Sequence, residues 1–342
     1  MRILVTGGAG YIGSHTCVEL LDSGYKVIVL DNLSNSKLAN LEKVSIITNI
    51  KLDLNQDNLS EFSFIKGDIR DKNLLVSLFS NFNIKGVIHF AGLKSVNESV
   101  EKPIDYFKNN VVGSIALIEV MKNFDCKTIV FSSSASVYGE PDKLPIKENF
   151  PLKANNPYAE SKLIIENFLR DIFKSDETWN IALLRYFNPI GAHSSGLIGD
   201  NPNNTPDNLL PYISQVAIGK LKKLFIYGVD YDTHDGTGLR DYVHVVDIAK
   251  SHEKALAFIK DNSQVLTLNL GTGKGHTVFD LITVFEKVSN RKIPYKIMAR
   301  RNGDSARYYA DVTFAKKKIG WEAESDLEKM CIDAWNFQKK SS

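Results

Sequence analysis

The chain has 342 residues, 43% of them hydrophobic, enough to bury a full α/β core and a second, smaller lobe. Lysine and arginine number 42 against 40 acidic residues, and the charges are scattered, which argues against nucleic acid or an anionic membrane surface as a partner. Cys17, Cys126 and Cys331 are far apart, odd in number and without metal-ligand spacing, so they read as buried or incidental thiols and no metal is expected.

An apolar, β-branched run from Ile3 to Thr6 leads into Gly7-Gly8-Ala9-Gly10-Tyr11-Ile12-Gly13, and a helical stretch, Ser14 to Ser23, follows and stops at Gly24. A strand starting by residue 3 has no charged n-region and apolar h-region ahead of it. No apolar run approaches the ~18 residues of a membrane span, so a reducing cytoplasm is the expected location. The glycines let the chain turn tightly, bring backbone amides up to a pyrophosphate and pack the new helix against its strand. A second run, Tyr25 to Leu30, ends in Asp31, placed to accept hydrogen bonds from an adenosine ribose and to repel a 2′-phosphate. NAD is therefore expected rather than NADP.

Further strands are expected at Phe62 to Lys66, Val87 to Phe90, Lys127 to Ser132 and Ile181 to Tyr186, with helices such as Lys72 to Phe79 and Tyr106 to Met121 between them. This alternation predicts an α/β fold: a doubly wound parallel sheet of the Rossmann type, accompanied by a smaller α/β substrate domain. The expected division is 1–187 for the dinucleotide and 188–342 for the substrate, with segments near 240–272 returning to the first domain. Ligands of such sheets lie beyond the carboxyl ends of the strands, where Asp68-Ile69, Ala91-Gly92-Leu93-Lys94, Ser132-Ser133-Ser134 and Phe187-Asn188 fall. Gly191 to Asn208, rich in Gly, Asn, Pro and Ser, is too long for an ordinary connection and reads as a substrate loop that orders on binding. Leu224 to Tyr227, Arg240 to His244 and Arg300 to Asp311 would build the substrate lobe.

Tyr158 and Lys162 stand four apart and so share one face of a helix. A tyrosine with a pKa of about 10 is a poor base near neutral pH unless positive charge stabilises the phenolate; Lys162 and an oxidised nicotinamide would supply it. Ser134 can bridge a substrate hydroxyl and the Tyr158 oxygen, making an acid–base unit that removes a proton as hydride leaves the same carbon.

These residues resemble the extended short-chain dehydrogenase/reductase family, over Arg2 to about Trp335. Asp31-Asn32-Leu33-Ser34-Asn35-Ser36, Phe90 to Lys94, Phe131 to Gly139 and Arg185 to Pro189 are similar to the branch that epimerises C4 of UDP-glucose and UDP-galactose. The resemblance implies NAD contacts at Gly7, Gly10, Tyr11, Ile12, Gly13, Asp31, Asn32, Asp68, Ile69, Phe90, Ala91, Gly92, Lys94, Asn109, Tyr158, Lys162 and Phe187. It implies that Ser134 and Tyr158 act on the sugar, and that Asn188, Asn208, Leu209, Phe225, Tyr227, Arg240, Arg301, Asp304 and Tyr308 hold the UDP-sugar. A 4-keto intermediate would turn over in the pocket, in a homodimer built on helices such as Tyr106 to Met121 and Tyr158 to Phe173.

By the same analogy, Tyr308 should crowd an N-acetyl group at C2. Glu42 to Glu61 looks longer than usual for the family. Two other readings compete: a nucleotide-sugar 4,6-dehydratase, for which Ser134-Ala135-Ser136 lacks the needed carboxylate, and a non-catalytic NAD sensor, which the intact Ser134, Tyr158 and Lys162 disfavour.

Overall fold

The computed structural model describes residues 1–202, 206, 208–301 and 303–341. Parts of the expected Gly191 to Asn208 and Arg300 to Asp311 segments thus lie outside the described residues. The chain forms two compact units: Met1–Gly139, Pro151–Arg185 and Ala249–Leu268 in the first, and Glu140–Phe150, Tyr186–Ile248 and Asn269–Ser342 in the second.

An eight-stranded sheet organises the first unit. Its strands are β1 (Arg2–Thr6), β2 (Lys26–Asp31), β3 (Leu52–Asp53), β4 (Phe62–Lys66), β5 (Ile84–His89), β6 (Thr128–Ser134), β7 (Asn180–Tyr186) and the strand Gln264–Leu270. They lie in the order Gln264–Leu270, β7, β6, β5, β1, β2, β4, β3, and each pairing from β6 to β3 is parallel. Near-continuous Val, Ile, Leu and Phe in the central strands follows from helices covering both faces. The core includes Leu4, Ile28, Leu30, Val87, Phe131 and Leu183, with Leu117, Ile165 and Leu169 from the helices. The chain builds outward from β1 through β2 and β4, then crosses back to β5 and continues to β6 and β7. That reversal opens a crevice at the carboxyl ends of β1 and β5.

Two expectations need correction. The strand bearing Ser134, expected as the fifth, is the sixth, because the long segment after Glu42 contributes part of a helix, Leu38–Thr48, and the edge strand β3. The helix expected over Tyr106 to Met121 is interrupted: Phe107–Val112 is wound as a π-helix before α-helical Gly113–Asn123 resumes. A π-turn widens the helix by one residue, a distortion that recurs at functional sites.

Pro157–Ser175 is a well-specified helix. Asn156 caps it by accepting a hydrogen bond from the Ala159 amide, Pro157 occupies the first turn, and Lys174 sits in the last, where the helix dipole favours a cation. The second unit has its own core, including Ile213, Ile226, Leu281, Phe285 and Trp335. Its short strands pair as Asn188–Ile190 with Tyr242–His244, Leu224–Tyr227 with Tyr295–Met298, and Leu239–Arg240 with both His276–Thr277 and Arg307–Tyr308.

Candidate active site

The glycine loop after β1 is packed so tightly that side chains are excluded. Gly7 has φ +70°, and a Cβ there would lie 2.7 Å from the Ala91 nitrogen; a Cβ on Gly13 would lie 2.5 Å from the Gly7 carbonyl oxygen. The helix Tyr11–Asp22 starts at Gly10 with no side-chain cap and no acidic residue in its first turn. Its leading amides therefore suit an anion such as a pyrophosphate. Asp31 stands at the end of β2, where one carboxylate oxygen accepts from the Ala9 amide at 3.0 Å and the other from the Leu33 amide and Ser36 hydroxyl, both at 2.8 Å. The same carboxylate that would meet a ribose thus fixes the glycine loop and the following turn. Asn32 donates to Asp68 at 2.9 Å, uniting two residues 36 apart in sequence, and Ile69 is buried beside them. Hydrogen bonds from Arg70 hold the Asp68 carboxyl well below the usual range.

The loop after β5 carries Phe90, Ala91, Gly92 and Lys94, and Asn110 holds it. Buried Asn110 accepts from the Leu93 amide at 2.8 Å and from Asn109 at 3.0 Å, and donates to the Leu93 carbonyl at 3.1 Å and to Ser161 at 3.0 Å. Sequence reasoning named Asn109 and missed its neighbour. The signal was two adjacent asparagines, poor helix formers, inside an otherwise helical run.

Beneath lies a second relay that sequence reasoning missed. Ser114 donates to the Asn110 carbonyl at 2.5 Å, so it accepts from His89 Nε2 at 2.8 Å, which leaves Nδ1 to accept from Thr6 at 2.6 Å. His89 is consequently a neutral Nε2–H tautomer, and burial together with the Lys162 charge lowers its pKa to about 3.

Tyr158 and Lys162 do share a helix face, and Ser134 at the end of β6 is hydrogen-bonded to the Tyr158 phenol. Lys162 Nζ donates to the Ser132 carbonyl at 2.7 Å, lies 4.9 Å from the Phe131 ring centroid and 6.0 Å from that of Tyr158, and would stand 3.7 Å from a Cβ on Gly92. Lys162 is therefore a neighbour of the loop after β5, and Asn110 bonds both that loop and Ser161 of the same helix. Burial raises the Tyr158 pKa and the Ser134 hydrogen bond opposes it, while burial lowers Lys162 itself to about 8.

The second unit gathers the other expected residues. Arg240 donates to the Leu239 carbonyl at 2.9 Å and the Ser305 carbonyl at 2.8 Å through one terminal nitrogen, and its other lies 3.5 Å from Asp304. Arg301 stacks on Tyr227 with its guanidinium carbon 3.9 Å from the ring centroid, and Tyr308 packs on Phe187 at 5.6 Å. Asn188 begins the strand paired with Tyr242–His244, Asn208 precedes the helix that Leu209 starts and donates its side chain to Asp200 at 3.3 Å rather than capping the helix, and Phe225 is on the strand paired with Tyr295–Met298. Two arginines held by carbonyls and aromatic faces, with their planar forks partly exposed, form a set suited to phosphate oxygens.

The sequence profile of the GDP-mannose 4,6 dehydratase family matches residues 4–334. A UDP-glucose 4-epimerase of Bacillus subtilis is 51% identical over 341 residues, covering 100% of this chain and 98% of the relative. The chain belongs to the UDP-glucose 4-epimerase family. The family's human member is 48% identical over 347 residues, covering 99% and 97% of the two chains. A solved family structure, from Bifidobacterium longum in complex with NAD+ and UDP, superposes with a TM-score of 0.94 at 48% identity, over 99% of this chain and 98% of that one. The dehydratase profile is the broader match, and the stretch Ser134-Ala135-Ser136 after β6 carries no carboxylate for eliminating water.

Proposed function

We propose that this protein interconverts UDP-glucose and UDP-galactose by epimerising C4 through a transient 4-keto sugar, with tightly held NAD, as a step of galactose metabolism. The observation that carries this reading is that Asn110 bonds both the loop after β5, at Leu93, and Ser161 on the helix that bears Tyr158 and Lys162, which sets Lys162 beside Gly92 and Tyr158 against Ser134. NAD fits the first unit: the loop admits backbone but no Cβ at Gly7 or Gly13, the helix starting at Tyr11 has neither a side-chain cap nor an acidic first turn, and Asp31 carries the charge that disfavours a 2′-phosphate. Bound there, NAD supplies a hydride acceptor and then a hydride donor at sugar C4.

The residues do the rest. Tyr158 takes the proton of the C4 hydroxyl, with Ser134 bridging the hydroxyl and the phenol, and returns it when the carbonyl is reduced on its opposite face. Lys162, fixed by the Ser132 carbonyl, sets a positive charge beside the phenol, to which an oxidised nicotinamide would add a second. In this reading Asn188, Asn208, Leu209, Phe225, Tyr227, Arg240, Arg301 and Asp304 grip the UDP, so binding energy is spent on the part of the substrate that does not react while the hexose is free to turn. Phe187 contributes to the cofactor side. Tyr308, packed on Phe187, would crowd an N-acetyl group, giving preference for the plain hexoses. The division of labour at about residue 187, a homodimer and a cytoplasmic location belong to the same reading. No helix among the described residues is long and apolar enough to cross a membrane.

Purified protein given UDP-galactose without added NAD should form UDP-glucose. Absence of conversion by protein shown to carry NAD would refute the assignment.

A further inference from the structure

Glu166 follows Tyr158 and Lys162 on the same helix face, four residues beyond the lysine, and its side chain is 0% exposed. Its carboxylate accepts from Ser133 of β6 at 2.6 Å and from Arg185 Nε of β7 at 2.8 Å, and a second Arg185 nitrogen bonds its other oxygen. Arg185, 1% exposed, donates also to the Tyr138 hydroxyl at 2.9 Å and lies over the Tyr138 ring at 4.9 Å. Consecutive serines of β6 thus meet successive turns of one helix: Ser134 meets Tyr158, the Ser132 carbonyl meets Lys162, and Ser133 meets Glu166.

A buried ion pair seldom adds net stability over apolar packing, because desolvation cancels its attraction, whereas a bidentate fork fixes geometry in two directions. An apolar contact would tolerate a slight roll or slide of the helix. A carboxylate bonded at once to two neighbouring strands does not. Any such movement would carry Tyr158 and Lys162 with it, since all three residues ride on one rigid helix.

We infer that Glu166 and Arg185 form a positioning lock, which sets the register of the helix Pro157–Ser175 on β6 and β7 and so holds the Tyr158 phenol and the Lys162 ammonium in reacting geometry. The inference rests on the proposed epimerase reading, and it deepens that reading by adding residues that touch neither sugar nor cofactor. Arg185 faces the Glu166 carboxylate directly, and Arg170, one turn along the same helix, lies 3.6 Å from it. The charged and titratable groups near the phenol remain Lys162 on its own helix and Tyr106 on the neighbouring one.

The test uses the NAD-loaded protein and two variants. Glu166→Met with Arg185→Met replaces the pair by apolar chains of similar size. Ser133→Ala cuts one neutral link and leaves the ion pair intact. Expected for the double variant is a fall in kcat for UDP-galactose of about 10- to 100-fold, the scale of a small misplacement of reacting groups, with KM, NAD content and melting temperature close to the parent's. Ser133→Ala should move kcat the same way by a smaller factor, and decides the matter by itself if the double variant fails to fold. Ultraviolet difference titration of the phenolate, against Tyr158→Phe and without sugar, should show the ionisation of Tyr158 moved in both variants. This readout does not depend on epimerisation, so a parent protein that fails to convert sugar sinks the epimerase reading while the titration still judges the lock. Unchanged kcat and unchanged titration in folded Ser133→Ala or in the folded double variant would overturn the inference.

Discussion

The Lys162 ammonium is bonded to the Ser132 carbonyl at 2.7 Å, a main-chain atom of the strand whose end carries the serine that bonds Tyr158. The lysine is anchored to the sheet rather than to the phenol, and it keeps a cation in a buried place. That arrangement costs stability below pH 8, since burial lowers its pKa from 10.5 to about 8 and the folded chain binds its proton less tightly than the unfolded chain.

Lys162→Met should therefore separate stability from activity. The shift corresponds to about 3 kcal/mol, and leaving the Ser132 carbonyl unpaired returns about 1–2 kcal/mol of that, so the variant should be more stable at pH 7 by about 1–2 kcal/mol. Its advantage should vanish as pH rises from 8 towards 10, because the unfolded lysine then still holds the proton that the folded one has lost. Urea titrations at pH 7 and pH 10 check this, and a parent more stable than the variant at pH 7 would contradict it. Activity should fall at least about 100-fold.

His89 predicts an acid limit. Its pKa is lowered from 6.5 to about 3, so the unfolded chain takes up a proton that the folded chain refuses as pH drops between those values. Stability due to this residue is complete above pH 6.5 and is lost on the way down, by up to about 1.4 kcal/mol per pH unit. His89→Asn should melt at a lower temperature at pH 7 but with a shallower slope between pH 6 and pH 4. Parallel slopes for the two proteins would count against the neutral relay through Thr6 and Ser114.

Two glycines should respond differently to one methyl group. Gly24 has φ +78° with open space around its Cβ position, so Gly24→Ala should cost about 1–2 kcal/mol of backbone strain and leave NAD content unchanged. Gly13→Ala would press on the Gly7 carbonyl and on Gly8 Cα, main-chain atoms that shape the loop, so about 3 kcal/mol and most of the bound NAD should be lost. Melting temperature and NAD released on denaturation report both effects. Retention of NAD by Gly13→Ala would disprove the tight cradle.

Arg240→Lys keeps the charge and removes the planar guanidinium, one nitrogen of which bonds two carbonyls. If Arg240 grips the diphosphate, KM for UDP-galactose should rise about 10-fold or more while kcat changes little, because the interaction is shared by ground and transition states. A fall in kcat at constant KM would place the residue elsewhere in the reaction.

Much of the first unit was legible because its signals are local. Gly7 to Gly13 between a strand and a helix, Asp31 at the next strand's end, and a tyrosine and lysine four apart are short-range patterns whose readings support one another, and Phe62–Lys66 was placed to the residue. The edge strand β3, two residues long, and the strand Gln264–Leu270 escaped, since neither is bounded by the motifs that marked their neighbours. The π-helical turn at Phe107–Val112 also escaped: apolar periodicity cannot register a single widened turn.

By itself the sequence determined the main alternation of strands and helices in the first unit, the backbone-only nucleotide loop and the spacing that puts a phenol and an ammonium on one helix face, because each depends on residues within a few positions of one another. Only the tertiary structure decided that Lys162 is held by the Ser132 carbonyl, that His89 is a neutral link between Thr6 and Ser114, that Asn110 clamps the loop at Leu93, and that Glu166 meets Arg185. Those contacts join residues 17 to 83 positions apart. Their energetics depend on burial, which exists only once the sheet and its helices have closed over them.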